Sequence, residues 1–321
     1  MGVSDNGRIW RWLDEVQAGF CMKFKNLNYF EESPDEQHQT DRSSTGRVRS
    51  VVAGWNKSSA YITGTGIITW DVPSFQQQEN LYMEDESIVI QEWVTVPRTS
   101  YIRPRGSQRE PDETSRQMGK EVGEVINWIV LEHVIIFVTD IGKLFASPFR
   151  WDNNTGLIHD SIELTELESI SEDDPTPIVT DVQGSFRKFA VFKKNGEVLI
   201  SSQDYLFVVF ENATAIQPRL VESPKKIPAL QNSGVIQIAI GDYHYHALHS
   251  SGRITSYGTD PHCSGAHGLG GWLQEGFGRR PADDTPNMMK AALRGLWRDD
   301  FSQDRFVKSP SIVPELHLMF Q

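Results

Sequence analysis

The fold is decided by the stretch Ile238-Ala-Ile-Gly-Asp-Tyr-His-Tyr-His-Ala-Leu-His-Ser-Ser-Gly-Arg-Ile-Thr-Ser-Tyr-Gly258. Two apolar runs, ending at Gly241 and Leu248, precede a Ser251-Gly252 turn, and the apolar alternation resumes at Ile254. Alternate residues of a strand lie on one face, and glycine at the turn supplies the positive φ that a two-residue hairpin loop requires. The stretch therefore predicts antiparallel strands joined by a tight turn.

The same layout recurs along the chain. Copies cover residues 178–201, 125–145 and 48–70, and residues 5–10 look like the closing half of another. The predicted turn glycines, which we interpret as structural, are Gly7, Gly66, Gly142, Gly196 and Gly252. Their intervals of 54 to 76 residues indicate an array of repeated units rather than a single globular sheet.

The best copy resembles the repeat of the regulator-of-chromosome-condensation family. That repeat has a Gly-x-x-His-x-x-x-Leu strand, a turn glycine and a strand ending in Trp/Tyr-Gly, which match Gly241, His244, Leu248, Gly252 and Tyr257-Gly258. The other copies keep the turn glycine and the aliphatic residues but lose the His or the terminal Gly. Residues 259–271 resemble the loop that follows this repeat in fungal members carrying an F-box. The resemblance covers about two thirds of the chain and implies an all-β propeller of about five to seven blades.

We expect the propeller repeats to span residues 1–272, with polar insertions at about 31–46 and 97–123. An irregular tail, 273–321, follows. Within it, a helix is predicted over 286–298, because Thr285 is a suitable N-cap, Pro286 suits the first turn and Met289 and Leu293 are spaced as on one helical face. Propellers with the tryptophan-aspartate repeat fit less well because their period is about 40–45 residues, and the Gly-Gly pair of kelch blades is missing. The sequence leaves open whether the ring closes and whether the chain continues upstream of Met1.

Composition narrows the function classes. The chain has 321 residues and a net charge of −12, a sign that repels nucleic-acid backbones, so we expect no nucleic-acid partner. Its two cysteines, Cys21 and Cys263, stand outside any Cys-x-x-Cys spacing, which is typical of a reducing compartment. No apolar run approaches the roughly 20 residues of a membrane span. We therefore expect a cytoplasmic or nuclear protein without a membrane partner.

Catalytic and metal-binding patterns are weak. The Gly-x-Ser-x-Gly elbow, the phosphate-binding loop and the dinucleotide fingerprint do not occur, so we expect neither an enzyme nor a cofactor. A histidine-rich cluster could supply zinc ligands, but its spacing matches no standard zinc pattern, and the repeat itself accounts for His244. We therefore predict no metal site for this cluster, which comprises His244, His246, His249, His262, Cys263 and His267.

Binding in propellers is carried by the connecting loops, which nominates two segments. One is the loop region around the best repeat, and the other is the arginine-rich insertion at 97–123, which has a solvated loop as its alternative interpretation. The candidate binding residues are Arg98, Arg103, Arg105, Asp242, Tyr243, His244, Asp260, His262 and His267. The acidic run 161–174 is interpreted as a solvated edge, with a docking site for a basic partner as the alternative.

The resemblance implies a non-enzymatic protein–protein interaction propeller. Through its F-box-associated members it implies the substrate-recognition part of an SCF-type ubiquitin ligase, with Skp-type and cullin subunits or a ubiquitylation substrate as partners. The alternative is guanine-nucleotide exchange on a Ran-like small GTPase, the activity of the family's founding member. The sequence does not identify the partner.

Overall fold

The computed structural model describes residues 1–12, 19–27, 46–71, 83–84, 87–104, 113–149, 160–168, 178–221, 223–241, 244–258 and 311–312. The chain forms two compact units. The first comprises Met1–Val182 and Leu206–Arg219, and the second comprises Gln183–Tyr205 and Leu220–Gln321.

The described residues form five small sheets, and the strands of the first two alternate along the chain. Sheet I contains β1 (Gly2–Val3), β2 (Ile9–Arg11), β3 (Phe20–Phe24), β8 (Ser87–Ile90) and β7 (Met83–Glu84), and its β3–β8 pair is parallel. Sheet II contains β4 (Val48–Ala53), β5 (Lys57–Ile62), β6 (Gly66–Asp71) and β9 (Val94–Thr95). Sheet III contains β10 (Val125–Val130), β11 (Val134–Thr139), β12 (Leu144–Pro148) and β13 (Ile162–Glu163).

The last two sheets are each built from strands that follow one another in the chain. Sheet IV contains β14 (Val179–Ser185), β15 (Lys188–Lys193) and β16 (Val198–Ser202), and Lys225 adds an isolated bridge to Ile200. Sheet V contains β17 (Val235–Ile240), β18 (His244–His249), β19 (Ile254–Gly258) and β20 (Ser311–Ile312). In sheets II to V the strands pair in chain order as in a meander, except that β9 joins β6 of sheet II after the intervening strands β7 and β8. This is the blade architecture of a β-propeller, as the sequence predicts.

Successive sheets pack face to face within each unit. In the first unit, Ile9 and Met22 of sheet I share a core with Ile62 and Ile68 of sheet II. A second core joins sheets II and III and includes Tyr61, Trp128, Phe137 and Phe145. In the second unit, sheets IV and V enclose Ala190, Phe192, Ile238, Ala247 and Tyr257. Sheet II is covered on both faces, because it contributes Ile62 and Ile68 to one core and Tyr61 and Ile67 to the other.

Four hairpin loops have the same conformation and carry a predicted turn glycine at the same position: Gly7, Gly142, Gly196 and Gly252. In each loop, the glycine N–H donates to the carbonyl of the residue three positions earlier, at 2.8–2.9 Å. The glycine φ lies between 78° and 84°, the left-handed region. These are three-residue loops ending in a glycine bulge, not the two-residue loops expected from the sequence, because the two residues before the glycine form an ordinary turn first.

Gly66 differs from the other four. It is the first residue of β6, opposite Ile62, and the loop itself contains Gly64 at a φ of 86°. Gly66 has a φ of 97°, and a Cβ placed on it would lie 2.3 Å from the Thr99 hydroxyl oxygen. Glycine is needed here because another segment of backbone approaches closely.

The first strands of three meanders carry the same β-bulge. The register shifts between Val48 and Ser50, between Val125 and Asn127, and between Val235 and Gln237. The extra residue of each bulge, Arg49, Ile126 or Ile236, lies at the exposed surface. These three bulges therefore each place one surface residue near the start of a first strand.

Three helices lie between strands: α1 (Glu113–Glu121), α2 (Thr165–Glu168) and α3 (Gln203–Thr214). None was predicted. Helix α1 falls inside the insertion expected as a loop at 97–123, so that segment is partly structured. A 3-10 helix, Pro228–Leu230, leads into sheet V. The predicted insertion at 31–46, apart from Gly46, and the predicted helix at 286–298 lie outside the described residues.

We expect Gly66→Ala to destabilise the first unit far more than Gly7→Ala. Both substitutions force a left-handed φ on alanine, which costs about 1 kcal/mol. At Gly7 the nearest atom to the new Cβ is Arg47 Cγ at 3.2 Å, on a flexible side chain, whereas at Gly66 the contacts include the Thr99 carbonyl carbon at 2.8 Å. The expected losses of unfolding free energy are about 1 kcal/mol for Gly7→Ala and about 3 kcal/mol or more for Gly66→Ala. Urea unfolding measures both, and equal losses would contradict the close approach at Gly66.

Candidate functional site

The arginine segment, residues 97–104, is held firmly between sheets II and III. The Thr99 hydroxyl accepts the Ile67 N–H at 2.9 Å and donates to the Val96 carbonyl at 2.8 Å. The Ser161 hydroxyl donates to the Pro97 carbonyl at 2.9 Å. Because the backbone is fixed on both sides, this part of the insertion is not the loose solvated loop that was one interpretation of it.

Two of the candidate arginines are neutralised by carboxylates. Arg98, whose φ is 63°, pairs with Asp160 at 2.7 Å on the surface. Arg103 Nε donates to Asp140 Oδ2 at 2.6 Å, and this hydrogen bond raises the pKa of the Arg103 guanidinium. The segment is therefore not a bare basic patch, and a partner would have to compete with these acids.

Arg103 belongs to a larger charge cluster centred on Glu124. This carboxylate is only 7% exposed, and it accepts a hydrogen bond from Arg49 Nη1 at 2.8 Å and one from the Arg103 backbone N–H at 3.1 Å. The Glu124 N–H in turn donates to Asp140 Oδ1 at 2.9 Å. The bulge in β4 turns Arg49 toward this cluster. The charges of the two arginines and the two carboxylates cancel. We interpret this cluster as a structural contact that links β4, the arginine segment and sheet III.

The histidines of β18 make contacts within their own sheet and its adjoining turn. His246 Nδ1 lies 2.8 Å from the Ser256 hydroxyl, while His249 bonds to the Ser233 carbonyl at 2.9 Å and the Thr255 hydroxyl at 2.9 Å. The His244 ring stands 5.3 Å from the His246 ring. Within the described part of the chain, no three His, Cys, Asp or Glu side chains converge as a metal site would require. These histidines hold the blade's own backbone and hydroxyl groups.

Several candidate residues lie outside the described residues, and they stay predictions: Arg105, Asp242, Tyr243, Asp260, His262 and His267. Of the nine candidates, the structure brings Arg98 and Arg103 onto one segment of the first unit and places His244 in the second unit.

The acidic run is divided in the structure, because Glu166 is exposed whereas Glu168 is buried. Glu168 is 2% exposed and accepts the Leu144 N–H at 2.6 Å. Burial, together with the neighbouring Glu163, raises the pKa of Glu168 to about 7. Lys143 pairs with Glu163 at 2.8 Å beside it. Glu168 thus anchors the end of β12, and the interpretation of 161–168 as solvent-facing was wrong for this residue.

A protruding loop that the sequence reasoning missed follows helix α3. We call residues 215–220 the finger. The Asn212 side chain closes it, since Nδ2 donates to the Arg219 carbonyl at 2.9 Å and Oδ1 accepts the Arg219 N–H at 2.7 Å. Arg219 also pairs with Glu211 at 2.9 Å. Both backbone groups of Arg219 are satisfied locally, so the finger keeps a defined conformation without burial.

The finger displays apolar side chains to solvent. Ile216 is 101% exposed and Leu220 is 98% exposed, more than any other large apolar residue of the described chain. On the first unit, Trp55 in the loop between β4 and β5 is 72% exposed. Single exposed apolar side chains are common on protein surfaces, so it is the pair on one loop with a fixed backbone that makes the finger a candidate contact surface. The sequence around Gln217-Pro218 has no hydrophobic periodicity. It therefore gives no indication that Ile216 and Leu220 are exposed.

Comparison with known proteins yields distant structural similarity only. No protein-family model matches the chain, and no curated protein matches it. Human WBSCR16 is 16% identical with a TM-score of 0.38, over 74% of this chain and 50% of that one. Yeast RCC1 (Prp20), in a crystal structure bound to Kap60, is 12% identical with a TM-score of 0.43, over 75% of this chain and 50% of that one. The chain thus spans about half the length of both.

No helix among the described residues has the length and apolar character that crossing a membrane requires.

We expect Glu124→Ala to destabilise the first unit by about 2–4 kcal/mol, because it leaves the half-buried Arg49 guanidinium and the Arg103 N–H without their acceptor. The comparison change Asp160→Asn removes the charge that pairs with Arg98, whose side chain is 43% exposed, but keeps an oxygen that can accept the Ser161 N–H, and should cost less than about 1 kcal/mol. Urea unfolding of both variants measures the difference. A loss at Asp160 as large as at Glu124 would refute the distinction between structural contact and surface pair.

The stability of the fold should fall as the pH rises from about 4.5 to about 7. The pKa of Glu168 is about 7 in the folded chain, against an ordinary value of 4.5. In this window the folded state binds more protons than the unfolded state, so stability is greatest below the ordinary pKa and is lost as the pH passes the folded pKa. Thermal unfolding across this range measures the slope. Glu168→Gln, which stays neutral and can still accept the Leu144 N–H, should remove most of it, and an unchanged slope would contradict this assignment.

Proposed function

We propose that this chain is a non-enzymatic protein-binding propeller and that the finger carries anchor residues for its partner. The observation that supports the proposal is the full exposure of Ile216 and Leu220 next to a backbone fixed by Asn212. Sheets whose faces are covered by neighbouring sheets leave loops as the surfaces for recognition.

The finger has the physical properties of a preorganised binding element. Its backbone conformation is set before binding, so little conformational entropy is lost when a partner closes over it. Each exposed aliphatic side chain gains about 1.5–3 kcal/mol when fully buried. A few anchor residues of this size commonly supply most of the affinity of an interface.

The finer proposal is that the partner is a ubiquitylation substrate and that the chain is the substrate-recognition part of an SCF-type ubiquitin ligase, working with Skp-type and cullin subunits. It is supported by the resemblance of residues 259–271 to the loop of fungal F-box-associated members. The alternative, guanine-nucleotide exchange on a Ran-like small GTPase, is supported by the resemblance of the repeat at Gly241–Gly258 itself.

These two functions predict different partners. Capture of the endogenous protein from its own cells followed by mass spectrometry should retain Skp-type and cullin subunits if the ligase proposal holds. A small GTPase instead, together with stimulated nucleotide release by the purified chain, would refute the ligase proposal and establish the exchange function.

We expect the double variant Ile216→Asp, Leu220→Asp to weaken partner binding by about 30-fold or more, which corresponds to about 2 kcal/mol. The captured partner of the wild-type chain, titrated against purified variants, gives the measurement. Both substituted side chains are already in water, so the unfolding midpoint should not change by more than the usual effect of a surface substitution, about 0.5 kcal/mol.

Gln217→Asp is the matched control, because it adds a negative charge within the same loop without removing an aliphatic anchor. It should retain wild-type affinity within about threefold. If the double variant bound as tightly as this control, the finger would not be the interface, while the propeller could still bind through another loop surface such as the one around Trp55.

A further inference from the structure

A Ser-Pro dipeptide in the second unit lies in a distinctive sequence context. The chain contains six Ser-Pro or Thr-Pro dipeptides, beginning at Ser33, Ser147, Thr176, Ser223, Thr285 and Ser309. Only two of them have a basic residue at the third position after the hydroxyl residue: Ser147-Pro-Phe-Arg150 and Ser223-Pro-Lys-Lys226. Proline-directed protein kinases recognise this pattern, in which proline needs no hydrogen-bond acceptor for its nitrogen and the basic side chain meets acidic groups of the kinase.

The structure separates these two sequences. Ser147 is 4% exposed within β12, directly opposite Ile135 of β11. Ser223 is exposed on an irregular segment, and the Lys226 side chain is 60% exposed. A kinase needs the hydroxyl and the flanking backbone at its active site, so only the second sequence is available in the folded chain.

The segment after Ser223 runs along the edge of sheet IV and enters the core of the second unit at Ile227. Lys225 makes two backbone hydrogen bonds to Ile200 at the edge of sheet IV, at 2.8 and 2.9 Å, and these form an isolated bridge. Opening one bridge at a sheet edge costs far less free energy than opening β12, which pairs with β11 along its whole length and with β13 at Phe145 and Ala146. The Lys226 ammonium pairs with Glu197, which also holds Lys193 at 2.9 Å.

We propose that Ser223 is a phosphorylation site for a proline-directed Ser/Thr kinase that uses ATP. The Ser223 hydroxyl oxygen forms a bond to the γ-phosphorus of ATP, the bond from that phosphorus to the β–γ bridging oxygen breaks, ADP leaves, and the hydroxyl proton passes to a carboxylate base of the kinase. The product carries about −1.5 to −2 charges beside Lys225 and Lys226, so the phosphate competes with Glu197 for the Lys226 ammonium.

The test uses the full chain, Mg²⁺-ATP and a purified kinase that phosphorylates a reference Ser-Pro-x-Lys peptide, with site-resolved mass spectrometry of the products. Synthetic peptides covering 143–154 and 219–230 are phosphorylated in parallel. We expect both peptides to react at rates within about tenfold of each other, and the folded chain to react at Ser223 at least about 100-fold faster than at Ser147, since the hydroxyl of Ser147 is reached only by opening the sheet.

Variants separate recognition from exposure. Pro224→Ala should abolish phosphorylation at Ser223, and Lys226→Ala should slow it by about tenfold through loss of the charge contact. Ser223→Ala should abolish phosphorylation at position 223 without increasing phosphorylation of Ser147. The proposal is overturned if Ser223 stays unmodified in the folded chain, whether or not its peptide reacts, or if Ser147 in the folded chain reacts as fast as Ser223.

Discussion

The repeated fold depends on glycines at which the backbone of one sheet touches the segment that enters the next. The Gly142 carbonyl accepts the Val179 N–H at 3.1 Å, and the Gly196 carbonyl accepts the Asn232 N–H at 3.0 Å. At Gly66 the equivalent approach is to Thr99, with no room for a Cβ. The contact is made by backbone, so it fixes the junction without specifying the length of chain between sheets. This explains how intervals of 54 to 76 residues are compatible with one architecture.

Sequence reasoning predicted the strands and the turn glycines well because both follow from local rules. A period of two directs apolar side chains to the faces of a sheet, and a single glycine in a short loop between two apolar runs marks the left-handed position. The same reasoning misplaced the turn at Gly66, because Gly64 and Gly66 stand two apart and only their hydrogen-bond register distinguishes them. It also missed the bulges at Arg49, Ile126 and Ile236, which depend on pairing with the next strand.

The candidate site was less predictable because its chemistry is long-range. Arg49 and Glu124 are 75 residues apart, and Arg98 and Asp160 are 62 apart, so no window of sequence shows that these charges balance. The arginine-rich insertion predicted a binding surface, and that prediction stays open, but the sequence did not show that Arg98 and Arg103 already pair with Asp160 and Asp140. Glu168 shows the same limit in the opposite sense, since its acidic neighbours indicate solvent while the fold gives it the Leu144 N–H.

The finger shows how a rigid fold can present a binding element at low cost. Its closure is local, within eight residues of α3 and the following loop, and it satisfies the Arg219 backbone through the Asn212 amide. The finger therefore does not need a hydrophobic core of its own. Leaving Ile216 and Leu220 in water forgoes about 1.5–3 kcal/mol for each side chain that burial would supply. Burial by a partner would recover that free energy, which is the physical basis for proposing this pair as a contact surface.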